Sequence, residues 1–293
     1  MDLEGIIPPM VTPVTGRDGD VDTDRLAALT ESLVEGGVHG LFPCGSIGEF
    51  PSLTREQRRT VVETVVDAAA DDVPVLAGCG ATSLGDVRAL VSDAADAGAD
   101  AAVVVTPYYL GTSQAGLREF YRVLADDAEL PVVLYNIPQV TGQHLDIETV
   151  ADLADHDNVV GIKDSSGELT YASRAVEATP PEFSVLLGIA ELSVAALDVG
   201  ADGLVSGPAN VFPGPVAEMY EAYRDGDRGR AVDLLNDVTI PVINVTREPP
   251  TAAALKYLLA VAGRDAGPPL LPLGELEAHQ RTAIEDCYER LSS

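Results

Sequence analysis

Short apolar runs that alternate with amphipathic stretches constrain the fold of this chain more than any other feature. Eight runs of four to eight residues recur along it, and most of them are rich in Val or Ala. Uninterrupted apolar runs of this length are typical of strands that are buried on both faces of a parallel sheet. The runs cover residues 5–11, 40–43, 73–78, 101–106, 132–135, 159–162, 185–188 and 203–206.

The stretches between these runs carry apolar residues at helical spacing. Thr23 is the predicted N-cap of the first helix, and Thr54 opens a Thr-Arg-Glu-Gln segment with the spacing of a capping box. The spacing predicts helices over residues 24–36, 54–70, 83–97, 113–128, 146–155 and 192–199.

A short internal repeat also joins helices to strands. Gly-Val-His-Gly at 37–40, Gly-Ala-Asp-Ala at 98–101 and Gly-Ala-Asp-Gly at 200–203 each precede or enter an apolar run. Repeated βα units of this kind favour an α/β fold, a closed (β/α)₈ TIM barrel with the active site at the carboxyl ends of its strands. The alternative is an open doubly wound sheet, which would prefer a glycine-rich nucleotide loop after the first strand, and none is present.

The strand pattern largely stops after residue 212. Helices are predicted over 213–224, 228–245, 251–261 and 273–291, although the β-branched residues of 238–245 could also form a strand and Pro241 should kink a helix. We therefore expect a barrel domain over residues 1–224, which holds the active site, and a C-terminal helical extension over 225–293 packed on it.

The charge balance excludes two classes of partner. The 293 residues include 47 acidic and 18 basic ones, for a net charge of −29, and only two of the basic residues are lysines. The electrostatic field of such a negative protein repels nucleic acid and anionic membranes. Neither is therefore a predicted partner. The acidic, lysine-poor composition predicts a halophilic protein, and an acidic mesophilic protein is the alternative.

The cysteines and histidines do not form a metal-binding pattern. Cys44, Cys79 and Cys287 are widely spaced, and the four histidines show no ligand spacing. No signal sequence or membrane-spanning segment is recognisable. We expect a cytoplasmic protein with reduced thiols that uses neither a metal ion nor a cofactor.

Lys163 is the sharpest candidate for chemistry. It follows the apolar run 159–162, so it should lie at the carboxyl end of a buried strand, where a barrel carries its active site. A lysine, unlike an arginine, can lose its proton and attack a carbonyl, and burial lowers the pKa of an amine. Lys163 is thus a candidate Schiff-base nucleophile, and the alternative is a structural cation paired with Asp164 or another acidic residue.

Two further features lie at predicted strand ends. Tyr135 could shuttle protons beside an amine, or it could be an aromatic core residue. The loop at 45–49, Gly-Ser-Ile-Gly-Glu, has two glycines shortly before a helix. Its N–H groups could bind a carboxylate or a phosphate, or it could be a simple turn.

Four motifs in order carry a resemblance to a known family. Residues 45–49 resemble a GTTGE loop, 106–109 match TPYY, 135–138 match YN-x-P, and 161–167 match G-[IV]-K-[DE]-x-[ST]-G. Together they resemble the dihydrodipicolinate synthase/N-acetylneuraminate lyase family of class I aldolases over nearly the whole chain. The resemblance implies a (β/α)₈ barrel and a homotetramer, and small-molecule substrates, namely pyruvate and an aldehyde.

The resemblance also implies roles for individual residues. Lys163 would form the imine with pyruvate or another 2-oxo acid, Tyr135 would shuttle protons, and Ser46 would relay them. Tyr109 would reach the active site of a neighbouring subunit. The implied substrate-binding residues are Gly45, the backbone N–H groups of Ser46 and Ile47, and the pocket-lining Gly188 and Val205.

Two departures from the family pattern bear on the substrate. Ile47 replaces a threonine, which removes a relay hydroxyl. Val140 stands where dihydrodipicolinate synthases carry an arginine that binds the carboxylate of aspartate semialdehyde, and valine cannot form that bidentate pair. Glu191 lies where sugar-acid aldolases bind hydroxyls, or it is simply an acid favoured at a helix start.

These departures favour an aldolase that cleaves 2-keto-3-deoxygluconate, or a related sugar acid, to pyruvate and glyceraldehyde. Several alternatives remain open within the family: 4-hydroxy-tetrahydrodipicolinate synthase, N-acetylneuraminate lyase and a keto-deoxy-glucarate dehydratase. Alternatives outside it are a metal-dependent barrel lyase or isomerase and a non-catalytic ligand-binding barrel.

Overall fold

The computed structural model describes residues 3–292, which divide into two compact units. The first unit contains residues 3–5 and 76–205, and the second contains residues 6–75 and 206–292. No helix within residues 3–292 is long and apolar enough to cross a membrane.

A predominantly parallel sheet is the centre of the first unit. The strands lie in the order β1-β7-β6-β5-β4-β3-β2, and each pair from β2 to β7 is parallel. Nearly every strand residue is buried, as the uninterrupted apolar runs predict. The strands are β1 (Gly5–Ile6), β2 (Leu76–Gly78), β3 (Ala101–Val105), β4 (Val132–Asn136), β5 (Val159–Asp164), β6 (Ser184–Leu187) and β7 (Gly203–Leu204).

Helices follow most of the strands, so the chain has the predicted α/β organisation. Those of residues 84–198 belong to the first unit and the others to the second. The helices are α1 (Thr23–Glu35), α2 (Arg55–Ala69), α3 (Leu84–Asp96), α4 (Gln114–Asp127), α5 (Pro138–Thr141), α6 (Ile147–Ala154), α7 (Leu169–Ala178), α8 (Ser193–Asp198), α9 (Pro213–Arg224), α10 (Arg228–Leu234), α11 (Ile240–Thr246), α12 (Thr251–Val261) and α13 (Ala278–Leu291).

The predicted strand at 40–43 is present only as isolated bridges. Within the second unit Leu41 pairs with Val75 and Phe42 pairs with Pro9, both in parallel. The strand predicted over 5–11 is also short, because prolines follow Ile6 closely and cannot donate to a ladder. An eighth strand and a closed eight-stranded barrel therefore stay predictions, as does the domain boundary at residue 224.

The helix caps are partly as predicted. Thr54 and Gln57 form the predicted capping box at the start of α2. The predicted cap at Thr23 is wrong, because Asp22 caps α1 by accepting a hydrogen bond from the backbone N–H of Arg25. An aspartate is a stronger N-cap than a threonine, and Thr23 becomes the first helical residue.

The region around Pro241 is helical and not extended. A π-helical turn at Leu235–Thr239 separates α10 from α11, immediately before that proline. Since proline lacks an N–H group and its ring meets the carbonyl four residues earlier, the wider turn accommodates it inside one helical segment. Farther along, the helix predicted from residue 273 begins only at Ala278.

Candidate active site

Lys163 and Tyr135 form a pair across two neighbouring strands of the first unit. The register of β4 and β5 places Tyr135 directly opposite Lys163. The Lys163 Nζ atom lies 3.7 Å from the centroid of the Tyr135 ring, and the two residues are only 5% and 4% exposed. A buried amine is thus held against a phenol at the carboxyl ends of the strands, where the sequence placed both residues.

The next residues along the two strands form a separate polar cluster. Asn136 pairs with Asp164 in the same register, and its side-chain amide donates to the Asp164 Oδ1 atom at 2.8 Å. Ser166 donates to the same carboxylate twice, from its backbone N–H at 3.1 Å and from its hydroxyl at 2.8 Å. Since successive side chains point to opposite faces of a sheet, this cluster braces the strands from the face opposite Lys163.

The electrostatics of Asp164 reflect its burial. Burial raises the pKa of the Asp164 carboxyl, and the hydrogen bonds from Asn136 and Ser166 oppose that rise only in part. The three donated hydrogen bonds show that this carboxylate anchors the strand ends. The sequence analysis assigned no role to Asn136 or Ser166, although Asn136 follows Tyr135 directly and Ser166 lies within the lysine motif at 161–167, which was a usable signal.

Gly188 packs directly against the lysine. A Cβ atom built on Gly188 would lie 2.1 Å from the Ser165 Oγ atom and 3.0 Å from the Lys163 Cε atom. The Gly188 N–H also donates to the carbonyl of Asp164 at 2.7 Å. A side chain at this position would clash with the Ser165 hydroxyl and crowd the Lys163 side chain, so this close approach favours glycine. Val205 is buried at the end of β7, where its N–H donates to the Leu187 carbonyl.

Three other predicted site residues lie on the surface of the same unit. Tyr109 is 91% exposed with a left-handed backbone (φ 76°), and Val140 is 72% exposed on α5. Glu191 lies partly exposed in a 3₁₀ turn at Ala190–Leu192. The structure does not bring Tyr109 or Val140 into the buried Lys163–Tyr135 pair, and the roles of all three stay predictions.

The glycine-containing loop belongs to the second unit and has a constrained shape. Gly45 is buried, Ser46 is exposed and Ile47 is half-buried. The turn is closed by the Glu49 N–H, which donates to the Ser46 carbonyl at 3.1 Å. Cys44 and Glu49, which flank the loop, are both non-glycine residues with left-handed φ angles of 55° and 57°.

The second lysine, Lys256, is held in a buried ion pair of the second unit. Its Nζ atom lies 2.5 Å from the Glu49 Oε2 atom, with both side chains 1% exposed, and donates to the Pro268 carbonyl at 3.0 Å.

Within residues 3–292, no group of three His, Cys, Asp or Glu side chains is arranged to hold a metal ion.

Comparison with known proteins identifies the family. The model of the dihydrodipicolinate synthetase family matches residues 2–291. The chain belongs to this family. The resemblance inferred from the four motifs is therefore confirmed, and the protein is a carbon–carbon lyase of the pyruvate-dependent, Schiff-base aldolase class.

Individual family members are similar over nearly their whole length. An uncharacterized DapA-like lyase of Halobacterium salinarum is 42% identical over 97% of this chain and 92% of its own. The 4-hydroxy-tetrahydrodipicolinate synthase of Methanoculleus marisnigri is 41% identical over 94% of each chain. The crystal structure of YagE, a family member from E. coli K12 in complex with pyruvate, has a TM-score of 0.94 at 33% identity and covers 99% of both chains.

Proposed function

We propose that this protein is a class I aldolase that cleaves a 2-keto-3-deoxy sugar acid, such as 2-keto-3-deoxygluconate, to pyruvate and glyceraldehyde. The observation that carries the proposal is the buried contact between the Lys163 Nζ atom and the Tyr135 ring, 3.7 Å apart. A water-poor site with an amine and a phenol in contact suits imine chemistry, because the phenol can move protons beside the nitrogen.

The proposed reaction begins at the amine of Lys163. The amine attacks the C2 ketone, and loss of water gives a protonated imine. Tyr135, left as a phenolate after protonating the departing water, then takes the proton of the C4 hydroxyl while the C3–C4 bond breaks, and the bonding electrons move into the imine to form an enamine. The aldehyde leaves, C3 is protonated, and water hydrolyses the imine to release pyruvate and the free amine.

The remaining predicted residues have proposed roles around this step. Backbone N–H groups of Ser46 and Ile47, in the loop that begins at Gly45, would bind the pyruvate carboxylate, and the Ser46 hydroxyl would relay protons. Support comes from the strained, buried ends of that loop, which favour a preorganised conformation. Gly188 and Val205 would line the pocket, and Glu191 would bind a substrate hydroxyl.

The choice of aldehyde rests on a missing positive charge. Val140 replaces the arginine that binds the second carboxylate in dihydrodipicolinate synthases. Every arginine of the first unit lies on a helix, as Arg88, Arg118, Arg122 and Arg174 do on α3, α4 and α7. None of these four lies on α5, so no arginine of the first unit replaces the one missing at Val140, and this favours an aldehyde without a carboxylate over aspartate semialdehyde.

A second candidate is 4-hydroxy-tetrahydrodipicolinate synthase, which condenses pyruvate with aspartate semialdehyde. The observation that favours it is the 41% identity to the M. marisnigri enzyme of that name. This second candidate function requires another group to bind the aldehyde's carboxylate.

We further propose a cytoplasmic homotetramer in which Tyr109 reaches the neighbouring subunit's site, since Tyr109 is 91% exposed.

Borohydride trapping tests the proposal directly. The protein is incubated with pyruvate and sodium borohydride, and the adduct is located by intact mass and peptide mapping. We expect a reduced pyruvyl adduct on Lys163, with none in a Lys163→Arg control. No adduct would overturn the Schiff-base mechanism, and inactivation by EDTA would then favour a metal-dependent lyase. Activity with aspartate semialdehyde but not with 2-keto-3-deoxygluconate would overturn the substrate assignment.

A further inference from the structure

A buried ion pair in the second unit anchors the end of the glycine-containing loop. Glu49 closes that loop, and its Oε2 atom lies 2.5 Å from the Nζ atom of Lys256 on α12. The Glu49 Oε1 atom accepts a hydrogen bond from the Leu270 N–H at 2.6 Å, and Lys256 donates to the Pro268 carbonyl at 3.0 Å. One charge pair therefore ties together the loop, a C-terminal helix and the segment that follows it.

The backbone of the loop needs such an anchor. The left-handed φ of Glu49, 57°, is unfavourable for a residue with a side chain and persists where the surroundings hold it. A second contact, from the Thr12 hydroxyl to the Gly48 carbonyl at 2.8 Å, restrains the neighbouring residue. The conformation of residues 45–49 is thus restrained from outside the loop, in addition to the hydrogen bond from the Glu49 N–H to the Ser46 carbonyl.

Stability alone does not account for the pair. Removing two charges from water costs free energy that their mutual attraction only partly offsets. A protein with apolar residues of similar size in place of a buried ion pair is often equally stable. Burial lowers the pKa of the Lys256 amine, which shows this cost, while the Glu49 carboxylate opposes the change. A fully buried pair with both partners also hydrogen-bonded to backbone is better suited to specify a conformation.

We propose that Glu49 and Lys256 are positioning residues for pyruvate binding. They hold the loop so that the N–H groups of Ser46 and Ile47 face one carboxylate. The inference rests on the proposed function, in which this loop binds pyruvate. It also assigns a function to Lys256 of α12, which would act on pyruvate binding through Glu49.

The test measures pyruvate binding separately from reactivity. A Glu49→Gln/Lys256→Met double variant removes both charges while keeping the side-chain volumes and an acceptor for the Leu270 N–H. Borohydride trapping at a series of pyruvate concentrations gives the half-saturating concentration and the rate at saturation. We expect the half-saturating concentration to rise about 10-fold and the saturated rate to change less than about threefold, since carboxylate binding is weakened and the amine is not.

Two further variants separate positioning from loss of stability. Leu258→Ala opens a cavity on the same helix without touching the pair, and it should lower the melting temperature but leave the half-saturating concentration unchanged. Glu49→Asp keeps both charges but shortens the side chain that reaches Lys256, so it should also raise the half-saturating pyruvate concentration. This variant serves as the test if the double variant does not fold.

The outcomes distinguish this inference from the proposed function. The positioning role would be overturned if Glu49→Asp or the folded double variant kept the half-saturating pyruvate concentration of the wild type. It would also be overturned if Leu258→Ala raised that concentration as much as the double variant does. Absence of any pyruvyl adduct on Lys163 in the wild-type protein would overturn the proposed function, and the positioning role with it.

Discussion

Lys163 lies against the face of the Tyr135 ring, and this contact determines what each residue can contribute. The ring covers the amine on one side. On another side the Lys163 Cε atom packs so closely on Gly188 that a Cβ atom there would crowd it. Close packing of this kind limits the rotamers that the Lys163 side chain can adopt. Preorganisation of this kind lowers the entropy that imine formation must lose.

Removing only the hydroxyl of Tyr135 tests its proton-transfer role. A Tyr135→Phe variant keeps the ring that packs on Lys163, so folding and the pyruvyl adduct should persist. The kcat for aldol cleavage should fall about 10²- to 10⁴-fold, because general acid–base catalysis contributes on that order. Steady-state assays with 2-keto-3-deoxygluconate measure the change, and an unaltered kcat would assign Tyr135 to packing.

Val140 offers a direct test of substrate choice. Its side chain is 72% exposed, so an arginine can be introduced there without overpacking. In a Val140→Arg variant the KM for aspartate semialdehyde should fall about 10-fold, since a charge-assisted pair with its carboxylate becomes possible. The matched control is Val140→Gln, which adds length and polarity but no charge. Equal KM values in the two variants would contradict this account of Val140.

At the scale of elements, β4 and β5 position the site through their register. Tyr135 opposes Lys163 and Asn136 opposes Asp164, so one pair would carry the proposed chemistry and the next holds the strands in place. A slip of one residue would send the lysine to the opposite face of the sheet. The Asn136–Asp164 hydrogen bond at 2.8 Å therefore protects the register of the active site.

The raised pKa of Asp164 predicts how pH affects stability. The folded protein holds this proton more tightly than the unfolded chain does, so ionisation costs stability as pH rises from the unfolded pKa, about 4, toward the folded one. An Asp164→Asn variant cannot ionise, and its amide oxygen can still accept from Asn136 and from the Ser166 N–H, while its Nδ2 group would donate to the Ser166 hydroxyl instead of accepting from it. Its unfolding free energy, relative to wild type, should increase as pH rises from 3 to 7.

Urea denaturation at each pH measures this difference. The comparison between the two proteins cancels the titration of the other carboxylates, which they share. A difference that stays constant, or that shrinks as pH rises, would contradict a raised pKa for Asp164.

Elements with strong local signals were predictable from the sequence. The capping box at Thr54 and the prolines and glycines around α9 and α12 mark helices that the structure confirms. Helix α7 was not predicted, because its buried face consists mainly of small alanines that give little periodicity. The bridges at 41–42 show a limit of another kind, since strand length depends on partners elsewhere in the chain.

For the whole molecule, the net charge of −29 is the dominant feature. Repulsion among so many acidic groups opposes the compact state, and added salt screens it. The Debye length falls from about 10 Å at 0.1 M to about 3 Å at 1 M, so molar salt screens exposed charges that lie farther apart than this. The stability of the folded protein should therefore depend strongly on salt concentration.

The melting temperature should rise steadily as KCl is increased from low to molar concentration. Calorimetry or a dye-based melting series measures it. Sucrose at matched osmolality is the control, because it stabilises proteins by exclusion but does not screen charge. A melting temperature that is flat in KCl would indicate an acidic but mesophilic protein.

The sequence by itself determined the α/β class, the family and the places of Lys163 and Tyr135 at strand ends. Those conclusions rest on periodicity and short motifs, which are local properties of the chain. Tertiary structure alone decided that Tyr135 opposes Lys163, that Asn136 and Asp164 brace the strands, and that Lys256 pairs with Glu49. These are contacts between segments far apart in sequence, and they form only because packing buries both partners together.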